Sequence, residues 1–205
     1  TYDRETVFIP NGITEPERKE CDLITEKWRL NKDEYILYLG RIVPEKGIMD
    51  LINAFKLVNT DKKLVIAGGS SDTDRFMKEL KEVASNDKRI IFTDFVQGQV
   101  LEELYSNAYI YTLPSTLEGM PIILLEAMSY KNCCITSDRK ERTEVIKDTG
   151  ISFSTSDVND LRDKLQMLCN SPQLVDKYRL KAFNRAINKY NWDRIVDSTL
   201  ELYKK

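Results

Sequence analysis

Short apolar runs, each followed by a stretch with apolar residues at helical spacing, recur along the chain and limit its fold more than any other feature. Ile36-Leu37-Tyr38-Leu39 is followed by Ile48, Leu51, Ile52, Phe55 and Val58. Leu64-Val65-Ile66-Ala67 leads through Gly68-Gly69 into a helix expected from about Asp74 to Ser85, and Arg89-Ile90-Ile91-Phe92 precedes one carrying Leu101, Leu104 and Tyr105. Tyr109-Ile110-Tyr111-Thr112-Leu113 comes before an apolar helix from about Pro121, Cys133-Cys134-Ile135-Thr136 is a fifth run, and Ile151-Ser152-Phe153 a sixth. Three helices close the chain, with Val158 and Leu161, Val175 and Tyr178, and Trp192 and Ile195 among their apolar positions. Runs this short and this continuously apolar read as strands covered on both faces, so the pattern predicts an α/β, Rossmann-like parallel sheet with helices on both faces.

A chain of 205 residues, 41% hydrophobic, suffices for one core, and we expect a single domain over 1–205. Residues 14–34 are rich in charge and poor in pattern, and read as a surface excursion between an opening strand and the first core strand. A net charge of −2 with interspersed signs offers no broad basic field, which disfavours nucleic acid as a partner. Cys21, Cys133, Cys134 and Cys169 lack metal-type spacing and read as free thiols in a reducing compartment. No apolar stretch approaches the roughly 20 residues of a membrane span, and the expected location is cytoplasmic.

Ligands in open α/β sheets lie beyond the carboxyl ends of the strands. Arg41, Gly68, Phe95 and Glu118 all follow strand ends. Just past Gly40, the Arg41 guanidinium can fork onto phosphate oxygens while Lys46 adds a point charge. Two cations then face one diphosphate. In Pro114-Ser115-Thr116-Leu117-Glu118-Gly119-Met120-Pro121, a strand end passes through a tight loop into a helix. Pro121 suits the first helical position, and the N–H groups around it form an anion site at the positive end of the helix dipole. Glu118 and Glu126 would straddle that phosphate, each accepting hydrogen bonds from hydroxyls, one from the transferred sugar and the other from the ribose.

Taken together, Gly40-Arg41, Lys46-Gly47 and the segment from Glu118 to Glu126 resemble the donor-binding, C-terminal half of a GT-B fold glycosyltransferase of family 4, also called group 1. The similarity runs from Val7-Phe8-Ile9-Pro10-Asn11-Gly12-Ile13 to Tyr190-Asn191-Trp192-Asp193. The resemblance implies a nucleotide-sugar donor and transfer with retention at the anomeric carbon. It implies Glu118, Arg41 and Lys46 as catalytic residues, with Glu118 on the sugar and Glu126 on the ribose. It places the phosphates on the backbone N–H groups of Met120 and Ile122, beside Gly119, and the nucleobase near Phe95-Val96. Core packing of Phe95 and a simple turn at Gly68-Gly69 are the competing readings. The chain departs from the family pattern at Ser137-Asp138-Arg139-Lys140-Glu141-Arg142-Thr143-Glu144, which lacks a glycine pair, and at Asp94, which stands where glycine is usual. The cluster Arg139, Lys140 and Arg142 reads as solvated or as bordering the donor phosphate.

Asp72-Thr73-Asp74 spells the metal-binding pattern of another glycosyltransferase architecture, but its place before a helix favours capping. With cations and a helix terminus supplying positive potential, no metal and no other cofactor is expected. The chain has no histidine, so the acceptor proton would go to another group, either the departing phosphate oxygen itself or a general base on a missing N-terminal half. It also begins at Thr1 without Met, which we read as a fragment whose N-terminal half would hold an acceptor sugar or lipid-linked sugar, with peripheral membrane association of the full-length protein. The rival is a non-catalytic nucleotide-sugar binding or regulatory module; a second α/β half upstream would favour transfer.

Overall fold

A computed structural model describes residues 7–69, 74–117 and 121–204, with the side chain of Asp74 excepted. After α1 (Leu23–Trp28) come β1 (Tyr35–Leu39), α2 (Ile48–Lys56), β2 (Lys63–Ala67), α3 (Asp74–Ala84), β3 (Ile90–Asp94) and α4 (Gln99–Asn107). The second half holds β4 (Ile110–Leu113), α5 (Ile122–Ser129), β5 (Cys133–Ser137), α6 (Lys140–Ile146) and β6 (Ile151–Phe153). It closes with α7 (Val158–Cys169), α8 (Pro172–Lys189) and α9 (Trp192–Tyr203). Among the described residues every pairing is parallel, and six strands lie in the order β3-β2-β1-β4-β5-β6.

Alternation along each strand builds two cores. Ile36 and Tyr38 of β1, with Leu64 and Ile66 of β2, pack beneath α2, α3 and α7. Tyr35 and Leu37, with Val65, Ala67, Tyr111 and Cys134, face the opposite layer containing α1, α4, α5 and α8. The apolar runs are continuous because both faces are covered. Helix ends follow local chemistry: Asp157 accepts hydrogen bonds from the N–H groups of Asn159 and Asp160 at the start of α7, and Asn191 accepts from Asp193 N–H at the start of α9.

Residues 14–34 lie mostly at the surface, but they carry a helix and an anchor that the expectation of a patternless excursion lacked. They contain α1, whose Ile24 is fully buried, as is Leu30 beyond its end. Asp22 and Ile24 donate their N–H groups to Glu103 Oε2 of α4, both at 3.0 Å. The carboxylate of another helix therefore supplies the cap that Asp22 does not. Burial raises the Glu103 pKa, but the bonds from Ile24, Asp22 and Gln99 outweigh it and hold the group below its ordinary value. Lys19 N–H also bonds Ser106 Oγ at 2.9 Å. The anchor escaped sequence reading because its acceptor comes from a distant element.

The expected opening strand is likewise corrected: residues 7–13 contribute one isolated bridge, Ile13 to Asn191, rather than a strand. Gly12 beside it lies against the Trp192 ring, where a β-carbon would come within 2.4 Å. All four cysteines are free, and burial pushes the Cys133 thiol up to about 12. Among the described residues, no helix is long and apolar enough to cross a membrane.

Candidate functional site

The strand order reverses between β1 and β4, which pair through Ile36 with Ile110 and Leu37 with Tyr111. Connections leaving these neighbours diverge to opposite sides, and the space beyond the carboxyl ends at such a reversal is the usual ligand position in these sheets. The loop holding Gly40, Arg41 and Lys46 leaves β1, and the loop leading to Glu118 and Pro121 leaves β4. Two segments far apart in sequence thus meet.

Their junction is close-packed. Gly47 has φ +67°, and a β-carbon there would lie 2.2 Å from the Pro114 carbonyl oxygen. Thr116 N–H donates to the Glu45 carbonyl at 2.8 Å, and Thr116 Oγ1 donates to the same oxygen at 3.1 Å. Between these contacts Lys46 ends a short 3-10 turn, Pro44–Lys46, and is only 7% exposed. A lysine so buried is held by its surroundings rather than solvated. Arg41 is exposed, and its carbonyl accepts a 2.8 Å hydrogen bond from Tyr38 Oη.

Gly68 must approach the β1 loop: at φ +151°, its β-carbon would fall 1.8 Å from the Gly40 carbonyl oxygen. That supplies the reason for glycine that a turn alone would not. Gly40 N–H bonds Ala67 O, Ile42 N–H bonds Gly69 O, and Gly68 N–H bonds Asp94 O, all at 2.9–3.0 Å, fastening the three strand ends together. Asp94 takes φ +58° beside a register shift in the β2–β3 pairing. Glycine takes that conformation without strain and aspartate tolerates it. Phe95 is 71% exposed, which removes the core-packing alternative, while Val96 is half-buried.

Glu118, Gly119 and Met120 lie outside the described residues, as does Asp72. The helix they lead into starts one residue later than expected: Pro121 has ψ 104°, the extended conformation of a cap, and Ile122 is the first helical residue. The proline ring fixes φ without completing a helical turn. In the first turn, the N–H groups of Ile122 and Ile123 have no carbonyl within the helix to meet. Glu126 is half-buried and accepts a 3.2 Å hydrogen bond from Tyr105 Oη. Burial raises its pKa, and the Tyr105 bond acts in the opposite direction.

The basic cluster after β5 is divided: Arg139 and Lys140 are exposed, whereas Arg142 is fully buried and so corrects the expectation of solvation for that residue. Sequence reading gave no role to Tyr38 or Tyr105. A buried phenol must find a partner, but nothing local says which. Among the described residues, no three His, Cys, Asp or Glu side chains are grouped as a metal would require.

Sheet order and the paired loops match the Rossmann-like half of the GT-B architecture. The chain belongs to the group 1 glycosyl transferases, whose family model matches residues 22–187. It is 28% identical over 183 residues to alpha-maltose-1-phosphate synthase of Mycobacterium tuberculosis, covering 82% of this chain and 47% of that protein. The chain spans about half the length of the curated relatives it matches. In fold it is similar to sucrose-phosphate synthase from Thermosynechococcus elongatus, with a TM-score of 0.83 and 24% identity over 96% of this chain and 51% of that one. Anabaena HepE in complex with UDP and glucose superposes with a TM-score of 0.81 and 15% identity, covering 89% of this chain and 51% of that one.

Proposed function

We propose that this chain is the donor-binding domain of a retaining glycosyltransferase and holds a nucleoside diphosphate sugar in the crevice between the β1 and β4 loops. The observation that supports the reading is that the β1 and β4 loops meet: Gly47 closes on Pro114 beside buried Lys46, and a β-carbon at Gly40 would lie 3.8 Å from Ile123 in the first turn of α5. Arg41 and Lys46 contact the diphosphate, and the α5 N-terminus receives a phosphate oxygen through its N–H groups. Glu118 holds the sugar hydroxyls, Glu126 the ribose diol, and exposed Phe95 borders the base.

As the anomeric bond lengthens, negative charge grows on the leaving diphosphate. Preplaced cations and N–H groups stabilise that charge more than they stabilise the ground state. A leaving phosphate oxygen accepts the proton of the incoming hydroxyl as its own bond to the anomeric carbon breaks. Binding requires no divalent metal. The acceptor, a sugar or lipid-linked sugar, is positioned by the counterpart of the half of the relatives that this chain does not span, so the chain alone binds donor without transferring it. Positioning two reactants supplies roughly 7 to 11 kcal/mol of a barrier.

Calorimetry with UDP, GDP and ADP tests the site. Charge-assisted bonds are worth about 1.5–3 kcal/mol, so Lys46→Ala should weaken the preferred diphosphate about tenfold or more. Unchanged affinity removes Lys46 from the site.

A further inference from the structure

Tyr105 lies in the last turns of α4 with its ring buried against α5. Its hydroxyl reaches Glu126 Oε2 at 3.2 Å and the Ile123 carbonyl at 3.4 Å, so a single proton is shared between a carboxylate and the first turn of α5. Among the described residues, the one hydrogen bond to the Glu126 carboxylate comes from this phenol. The ring cannot swing away. It is stacked on Tyr130 at 5.2 Å and 12°, and tilted against Tyr111 at 5.9 Å. Asn132 Nδ2 fixes the backbone behind it by donating to the Tyr105 carbonyl at 2.9 Å.

A glutamate side chain has three rotatable bonds, and a carboxylate meant to grip two vicinal hydroxyls must present both oxygens in one orientation. A buried, rigid donor on one oxygen fixes that orientation while leaving that oxygen's second lone pair and the whole of the other oxygen for the ligand. We propose that Tyr105 is a positioning residue whose hydroxyl aims the Glu126 carboxylate at the ribose diol. This rests on the assignment of Glu126 to the ribose. It explains why a polar ring is buried where the packing alone would accept phenylalanine. The groups facing the pair are Tyr111 from β4, Cys134 from β5 and Tyr130 at the end of α5, with Glu102 beyond Tyr130. Burial raises the Glu126 pKa, and the phenol partly offsets it.

The test is Tyr105→Phe, which removes one oxygen and keeps the ring stack. Carbon-detected NMR titration of the unliganded protein should place the Glu126 midpoint higher in the variant, because the hydrogen bond that favours its ionised form is gone while its burial remains. Calorimetry with UDP, GDP and ADP, each beside its 2′,3′-dideoxy analogue, gives the second readout. The preferred diphosphate should weaken roughly tenfold in the variant, and its dideoxy analogue less than about twofold. In a Glu126→Gln background, Tyr105→Phe should cause no further loss. An unmoved Glu126 midpoint overturns the proposal. So does an equal loss for both ligands, which is what a general folding defect produces. A wild type that does not distinguish diphosphate from dideoxy analogue overturns the ribose assignment instead, and the midpoint shift then judges the Tyr105–Glu126 coupling alone.

Discussion

Gly47→Ala should disconnect the crevice without touching a charged residue. At φ +67°, alanine enters the left-handed region, at roughly 1–2 kcal/mol. Its β-carbon would also lie 2.2 Å from the Pro114 carbonyl oxygen and 2.9 Å from the carbonyl carbon. Both are backbone atoms at the end of a buried strand, so no side chain can turn aside. The two loops must part by the better part of an ångström, and overpacking of this kind costs about 1–3 kcal/mol. The combined loss of roughly 2–5 kcal/mol corresponds to a melting point lower by about 5–15 °C for a chain of this size. Separation also moves Lys46 away from the β4 loop, so the preferred diphosphate should bind about tenfold or more weakly even well below the melting point. Gly69→Ala is the control: its β-carbon would meet the nearest atom, Phe95 Cβ, at an ordinary 3.6 Å. It should stay within about 0.5 kcal/mol of wild type. Scanning calorimetry and titration calorimetry on both variants decide the matter. A Gly47→Ala protein that melts with wild type and binds with unchanged affinity refutes the junction as the element that assembles the site.

Glu103→Gln should destabilise the chain by about 2–4 kcal/mol at pH 7, since it weakens a buried charged acceptor of several N–H groups. Because the folded pKa of Glu103 lies below the ordinary 4.5, its stabilisation is complete above that value and disappears as pH falls through the folded pKa. The melting-point gap between wild type and variant should therefore close in acid; a gap independent of pH would contradict the capping role. Glu126→Gln should weaken nucleoside diphosphate and its sugar conjugate alike, and Glu118→Gln only the conjugate. Equal losses from both would end that division of roles. Titrations of the preferred diphosphate in chelator and in magnesium should agree within about twofold, a difference of about 0.4 kcal/mol; a large chelator effect would bring Asp72 and Asp74 back as metal ligands.

Much of the fold was legible because its signals are local. Alternating contacts along Ile36-Leu37-Tyr38-Leu39 and helical spacing through Ile48, Leu51, Ile52 and Phe55 report which faces need covering, whatever lies opposite. The proposed site rests on motifs around Arg41, Lys46 and Glu126 that stand out in the sequence because phosphate and polyol chemistry restricts the side chains that suit them. Less legible were features whose partner is distant. The charged stretch at 14–34 hid a helix because its cap is Glu103, and the cluster after β5 hid a fully buried Arg142.

The sequence by itself determined the succession of strands and helices, the covering of both sheet faces, and the residue types suited to a diphosphate. Only the tertiary structure decided that β1 and β4 are neighbours, that Gly47 closes on Pro114, and that the phenol of Tyr105 bonds Glu126. The physical reason is range. Periodicity is fixed by the geometry of a few successive residues, whereas adjacency between distant segments emerges only when the whole chain packs its apolar surface and pairs its buried polar groups.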